Sequence, residues 1–288
     1  MHQCQSDALS REAVAETPVL TEGEIRDYHR DGYLIPNLRL TSARLEKLQQ
    51  LTRQLISDNP HIKEGIGSPH LICGSSSQNV KTQEGWMDIA TDPALIGLLQ
   101  QLIGPDIILW ASTLFHLPPQ EGPATPWHRD GAFYPISPLA TTTIWIAVFD
   151  SVRENGCLRL VPGSHRSRSL GRHARGRWGS DGKGLLSADE FDESAAADAL
   201  LEPGQMVVFD VFTAHASWPN TGARPRAGFA LRFCPATSYF DHDASDEEFR
   251  VAGGVRGREL ILVSGTNRAG NRLGRVGRHL QVDGAMTR

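Results

Sequence analysis

Two side chains near the middle of the chain have the types and spacing to hold a metal. The segment Pro126-Trp127-His128-Arg129-Asp130-Gly131 places a histidine and an aspartate two residues apart. In extended backbone, residues i and i+2 point to the same side. An imidazole nitrogen and a carboxylate oxygen can therefore converge on one point. They make two legs of a two-histidine, one-carboxylate facial triad, which holds Fe(II) and leaves positions open for substrate and oxygen. Polar pairs are common in turns, so the motif gains weight only with a third leg and a reason for the open positions.

The third leg must come from another strand. The chain has 11 histidines. His2, His29, His61, His70 and His279 fall in the leader, helix, loop or tail. His165 and His173 flank a polar insertion, and His242 lies among acids. His116 and His215 remain, each on or beside strand-like sequence. His215 follows the apolar run Gln205 to Phe209 and lies 85 residues beyond Asp130, so it is taken as the third leg. Eleven residues later, Arg226 opens another strand. There Arg226, Gly228, Ala230 and Arg232 share one face, and Phe229, Leu231 and Phe233 share the other. Small residues beside a cation suit a cavity for an anion. A buried arginine needs an anionic partner, and guanidinium meets carboxylate bidentately.

The elements that must position these residues can be read from patterning. Residues 1–20 are polar and alanine-rich and are expected to form a flexible leader. Thr21 and Glu24 form a capping box for a helix through about Arg30. Tyr33-Leu34-Ile35 reads as a short strand. Leu45, Leu48, Leu51, Leu55 and Ile56 predict an amphipathic helix over 42–57. Residues 61–83 read as a loop holding a short strand at Leu71-Ile72-Cys73. Asp92-Pro93 opens a helix that ends at Gly104-Pro105. Strands are expected at Asp106–Leu117, Thr141–Phe149, Leu158–Val161, Gln205–Phe209 and Arg226–Cys234. Between them, 166–200 is a polar insertion of the kind that serves as a lid or a solvated excursion. Beyond Asp241 the chain is Gly- and Arg-rich, with one apolar patch, Leu260 to Val263. Helices first and strands later predict an α+β fold with helices against one antiparallel barrel or sandwich. Residues 21–288 are expected to form a single domain, with the β core at about 106–235.

Bulk properties narrow the class. The 288 residues are 40% hydrophobic and 22% charged, with a net charge of -4, which gives no signal for nucleic acid or membrane surfaces. The four scattered cysteines contain no C-x-x-C and fit a reducing cytoplasm better than a disulfide framework or zinc ribbon. No apolar run reaches the roughly 20 residues needed to span a bilayer.

The order H-x-D, then His215, then Arg226 resembles the phytanoyl-CoA dioxygenase family of Fe(II)- and 2-oxoglutarate-dependent oxygenases. The likeness extends to Trp127 through Pro135, Glu154-Asn155-Gly156-Cys157-Leu158, Pro162-Gly163-Ser164-His165, Pro203-Gly204 and Pro219-Asn220, and covers roughly 22–235. It implies a mainly β, double-stranded β-helix core, a cupin-like jelly roll buttressed by N-terminal helices. It implies iron on His128, Asp130 and His215, and Arg226 on the distal carboxylate of 2-oxoglutarate with help from Ser217. Trp145 would line the co-substrate pocket, and His116 would contact the metal-binding end of the co-substrate. Arg224 is a rival to Arg226 whose spacing from His215 does not match the family.

The resemblance also implies a reaction with O2 that oxidises a C–H bond of a small molecule and releases succinate and CO2. Hydroxylation, desaturation and cyclisation stay open, as do the substrate and the oligomeric state. Related halogenases have Gly or Ala at the Asp130 position, so the carboxylate argues against halogenation. Phe133, Tyr134, Trp218 and Arg129 are expected to wall the substrate pocket, with 166–200 as a cover. Arg166, Arg168, Arg172, Arg175 and Arg177 would then meet an anionic substrate. The main alternative is a metal-binding cupin-type enzyme that does not use 2-oxoglutarate, which would have no need of Arg226. A binding protein with a vestigial site and a zinc hydrolase are further alternatives.

Overall fold

A computed structural model describes residues 19–62, 65–71, 80–171, 186–245, 249 and 255–274. The leader through residue 18, Ile72 and Cys73, the stretch 172–185 with Arg172, Arg175 and Arg177, and the tail beyond 274 lie outside the described residues.

Helix α1 (Glu22–Asp31) is closed at its start by the reciprocal Thr21–Glu24 capping box and at its end by Gly32 in the left-handed region. It leads to β1 (Tyr33–Leu34), α2 (Ser42–Asp58) and β2 (Gly65–Gly67). A short α3 (Trp86–Ala90) precedes α4 (Pro93–Ile103), where Asp92 caps the N-terminus and proline opens the first turn. The end of the expected leader is tied down. The Leu20 N–H donates to Gln101 Oε1 and Gln101 Nε2 donates to the Leu20 carbonyl, at 2.8 and 2.9 Å.

The strands follow as β3 (Ile107–Leu117), β4 (Thr125–His128), β5 (Ile136–Ser137), β6 (Thr142–Ala147), β7 (Leu158–Leu160), β8 (Ala197–Ala199) and β9 (Met206–Asp210). Then come β10 (His215–Ser217), β11 (Arg226–Pro235), β12 (Tyr239–Phe240) and β13 (Ile261–Ser264). They form a large sheet in the order β1-β9-β6-β11-β3-β13, with β2 also on β3. A small sheet runs β4-β10-β7-β8, and β5 pairs with β12. All pairings between these strands are antiparallel. This is the jelly roll expected from the resemblance, with two additions. The end of the polar insertion returns as β8, and the patch at 260–263 supplies β13.

Alternation divides the strands between two apolar cores. Phe229, Leu231 and Phe233 on β11, Ile144 and Ile146 on β6, and Met206 and Val208 on β9 pack against Leu48, Leu51, Leu98 and Leu99 of the helices. The opposite faces contribute Trp145, Ala147, Val207, Phe209 and Ala230, which meet Leu158 and Leu160 of the small sheet. The helices therefore hold the large sheet from outside, while its inner face is left to line the space between the sheets. Among the described residues, no helix is long and apolar enough to cross a membrane.

Candidate metal centre and anion pocket

His128 and His215 are cross-strand partners at one end of the small sheet, in register on β4 and β10. Their rings lie 4.0 Å apart between centroids. After His128 the chain passes through extended Arg129 into a single 3-10 turn beginning at Asp130. This returns the Asp130 carboxylate to the same point. Its Oδ1 lies 3.5 Å from His128 Nε2 and 3.8 Å from His215 Nε2. One ligand atom from each of the three buried residues falls within 4.8 Å of the others.

The donor set suits a metal in its protonation as well as its placement. His128 Nδ1 sits 2.8 Å from the Pro126 carbonyl, and His215 Nδ1 sits 3.0 Å from the Thr213 carbonyl. A carbonyl only accepts, so each Nδ1 carries the proton and each Nε2 turns its lone pair to the shared point. Burial pushes the His215 imidazole down to about 3, with the nearby His128 adding to the shift, so the ring is neutral and able to ligate. Burial alone would raise the Asp130 carboxyl. The nearby His128 imidazole and the charge of Arg232 outweigh it and hold Asp130 well below the ordinary carboxylate range.

The three residues line a cavity of about 680 Å³ between the sheets. Arg226 lines it too, 3% exposed, with Nε donating to the Gly156 carbonyl at 2.9 Å. No carboxylate among the described residues pairs with it. Burial draws its pKa down to about 10, which leaves it charged near neutrality. A buried guanidinium facing a cavity, with a neutral oxygen as its named partner, is a site for an anion. Two glycines make the arrangement possible. Gly156 adopts φ +96, which turns its carbonyl to Arg226. Gly228 lies under the Trp145 ring, where an added Cβ would meet Cζ2 at 1.8 Å. Trp145 in turn lies 5.0 Å beneath the Arg226 guanidinium. The open space that the small residue Gly228 suggested is thus occupied by an aromatic ring, and the pocket lies beyond that ring.

Other motif residues act through the backbone. Asn220 Nδ2 donates to the Leu117 and Arg224 carbonyls at 3.1 and 2.9 Å, fixing the approach to Arg226. Ser164 Oγ accepts from the Ala214 N–H at 2.9 Å, next to His215. Arg224 pairs with Asp150 at 2.5 Å on the surface, away from the cavity.

The remaining expected site residues divide. Phe133 and Tyr134 line the cavity. Ser217 is buried two residues along β10 from His215, on the same face, and its Oγ accepts from the Thr125 N–H at 3.1 Å. His116, Arg129 and Trp218 are not brought to the cavity, and strand parity explains each case. His116 lies between Phe115 and Leu117 and opposite Ala227, on the helix side of the large sheet. Arg129 lies between two metal-facing residues and points away, donating to the Phe212 and Glu190 carbonyls at 3.0 and 3.2 Å. Trp218 faces outward from the small sheet, with Nε1 on Asp198 and its ring 4.0 Å from the Arg159 guanidinium.

Sequence reading did not assign three residues that the fold brings in. Arg232 Nε lies 3.7 Å from Asp130 Oδ2 and donates to Tyr134 Oη at 2.7 Å. Thr143 Oγ1 lies 3.5 Å from the same carboxylate oxygen. Arg258, from the segment expected to be tail, lines the cavity. The inward parity of Arg232 and Thr143 was the available signal for those two. Arg258 had no such local signal.

Comparison with known proteins agrees with this geometry. A family model described as phytanoyl-CoA dioxygenase matches residues 28–228. A phytanoyl-CoA dioxygenase domain-containing protein 1 homolog of Dictyostelium discoideum is 32% identical over 109 residues, 37% of this chain and 39% of that protein. L-proline trans-4-hydroxylase of Streptomyces griseoviridis is 28% identical over 247 residues, 76% of this chain and 88% of that enzyme. The chain spans less than half the length of the first curated relatives it matches. Among solved structures, the non-heme monooxygenase ThoJ in its apo form superposes with a TM-score of 0.67 at 24% identity, covering 87% of each chain, and shares the fold. The match over residues 28–228, on a jelly roll that brings His128, Asp130 and His215 together, shows that the chain belongs to the phytanoyl-CoA dioxygenase family of Fe(II)- and 2-oxoglutarate-dependent oxygenases.

Proposed function

We propose that the protein is an Fe(II)- and 2-oxoglutarate-dependent dioxygenase that hydroxylates, or otherwise oxidises, an unactivated C–H bond of a small molecule, releasing succinate and CO2. The observation that carries this reading is one cavity holding both the His128–Asp130–His215 cluster and the buried Arg226, which has no carboxylate partner among the described residues. A metal-binding cupin that does not use 2-oxoglutarate would have no need of that cation.

In this reading His128, Asp130 and His215 hold the iron, and Arg226 pairs with the distal carboxylate of 2-oxoglutarate. Ser217 keeps a hydroxyl proton to offer at that end, since its oxygen already accepts from Thr125. Trp145 supports Arg226 and shields it from water. When bound, the iron and its co-substrate supply the oxygen activation that the side chains cannot. The chain contributes orientation. The Pro126 and Thr213 carbonyls fix the two imidazoles, and Arg232 and Thr143 restrain the free oxygen of Asp130. Phe133 and Tyr134 shape the place where the substrate C–H bond must lie. The Asp130 carboxylate fills the position that a halide would need, which favours oxygenation. The buried, unpaired thiols of Cys157 and Cys234 are in keeping with a cytoplasmic location.

Anaerobic reconstitution tests the proposal. Fe(II) and 2-oxoglutarate together are expected to give a metal-to-ligand absorption band. Arg226→Ala should raise the 2-oxoglutarate concentration needed for that band by roughly a hundredfold. Substrate turnover that proceeds without 2-oxoglutarate would return the alternative.

A further inference from the structure

With Fe(II) bound, Arg226 and Arg232 would bring more positive charge to the cavity than Asp130 and the two carboxylates of 2-oxoglutarate can match. Arg226 stands at one end of β11. Arg232 stands six residues further on the same face, about 20 Å along the strand. Arg232 donates to two neutral oxygens, Tyr134 Oη at 2.7 Å and Thr113 Oγ1 at 3.0 Å. The carboxylate beside it is Asp130, at 3.7 Å, whose charge would be shared with the metal.

A second guanidinium joins this wall. Arg258 is 6% exposed, lines the same cavity, and its Nη1 donates to Ser68 Oγ at 2.8 Å. The Ser68 N–H holds the Ser112 carbonyl at 2.8 Å, and Ser112 also lines the cavity. Trp110, Phe133 and Tyr134 supply an apolar wall nearby. Both arginines lie beyond residue 228, where the family model ends.

One carboxylate of 2-oxoglutarate would go to the metal and the other to Arg226, so neither would neutralise Arg232. A neutral substrate would leave Arg232 desolvated beside an aspartate already shared with the metal. We propose that the substrate is an organic carboxylic acid, its carboxylate received by Arg232 and Arg258 and its apolar body laid against Trp110 and Phe133. A planar carboxylate matches a guanidinium fork with two parallel hydrogen bonds. Because Arg232 also touches Asp130, oxidation falls within a few carbons of that carboxylate. The inference rests on the iron and 2-oxoglutarate reading above and names the substrate class for it.

Matched probes test it. The protein loaded anaerobically with Fe(II) and 2-oxoglutarate is titrated with alkyl and aryl carboxylic acids, with their primary amides, and with the corresponding phosphonates. Displacement of the absorption band and the rise in Tm are read together. Acids are expected to act at concentrations at least about tenfold below their amides. In Arg258→Met the band should persist while the response to acids weakens at least about tenfold. Should Arg232→Met fail to load metal, the acid-to-amide ratio and Arg258→Met still decide. Amides that act as well as acids overturn the inference, as do phosphonates acting in place of acids, acids that move neither signal, or an unweakened response in Arg258→Met. A missing absorption band overturns the parent reading and this one with it; a band that acids leave unmoved overturns this one alone.

Discussion

The anion pocket depends on side chains that act through other side chains. Trp145 supports Arg226, and Gly228 makes room for Trp145. Gly228→Ala puts a Cβ where Cζ2 and Cε2 now lie, at 1.8 and 2.1 Å, so the ring has to move. The expected result is a rise of roughly tenfold or more in the KM for 2-oxoglutarate, with a smaller fall in kcat. Succinate release measured against 2-oxoglutarate concentration checks it, and an unchanged KM would show that Trp145 does not support the guanidinium. Arg226→Lys keeps a cation but loses the fork and the Nε–H that Gly156 accepts. It is expected to weaken 2-oxoglutarate by about ten- to a hundredfold rather than to rescue the site, read from the same titration.

Strand β11 serves both halves of the molecule. Its inward residues supply both arginines, and its outward residues anchor the helices through Phe229, Leu231 and Phe233. A cut in the helical layer should therefore cost stability without reshaping the metal site. Leu98→Ala, at a position with no exposure, is expected to destabilise by about 2–5 kcal/mol, read as a lower urea midpoint, while the folded protein keeps its KM for 2-oxoglutarate. Elements with enough residues to show a period were legible in the sequence: α2, α4, β3, β6, β9 and β11. The two- and three-residue strands β2, β5, β8 and β12 have too few residues to show one, and the five-residue α3 was likewise missed. The same parity rule divides the site predictions. His128 with Asp130, and Arg226 with Arg232, were readable because alternate residues share a face. The proposed roles for His116, Arg129 and Trp218 came from motif neighbourhood, and parity turns those side chains away. Arg258 was unreadable because nothing in residues near it indicates which cavity the returning chain will reach.

At the scale of the whole molecule, the site and the fold are coupled by what binds and by what is buried. A group that binds only the folded state stabilises it, so Fe(II) with 2-oxoglutarate at about a hundred times Kd should raise Tm by roughly 5 °C, and a chelator should reverse the rise. His70 couples stability to pH in a different way. It is buried where the segment after β2 meets β3, with Nδ1 at 2.5 Å from Ser112 Oγ. Burial, reinforced by the positive charge of Arg258, pushes its imidazole down to about 3. In the unfolded chain the same ring titrates near 6.5. Between these values the unfolded state holds a proton that the folded state refuses, so the stability contribution is complete above about pH 6.5 and is lost as pH falls toward 3. His215 is shifted in the same direction and adds to the slope. His70→Gln, which preserves a donor for Ser112 and cannot take up the proton, separates the two. Urea midpoints followed from pH 7 to 4.5 should fall less steeply in His70→Gln than in the parent, by up to about 1.4 kcal/mol per pH unit. Equal slopes would mean that the neutral, buried His70 does not tie the segment after β2 to the cavity wall.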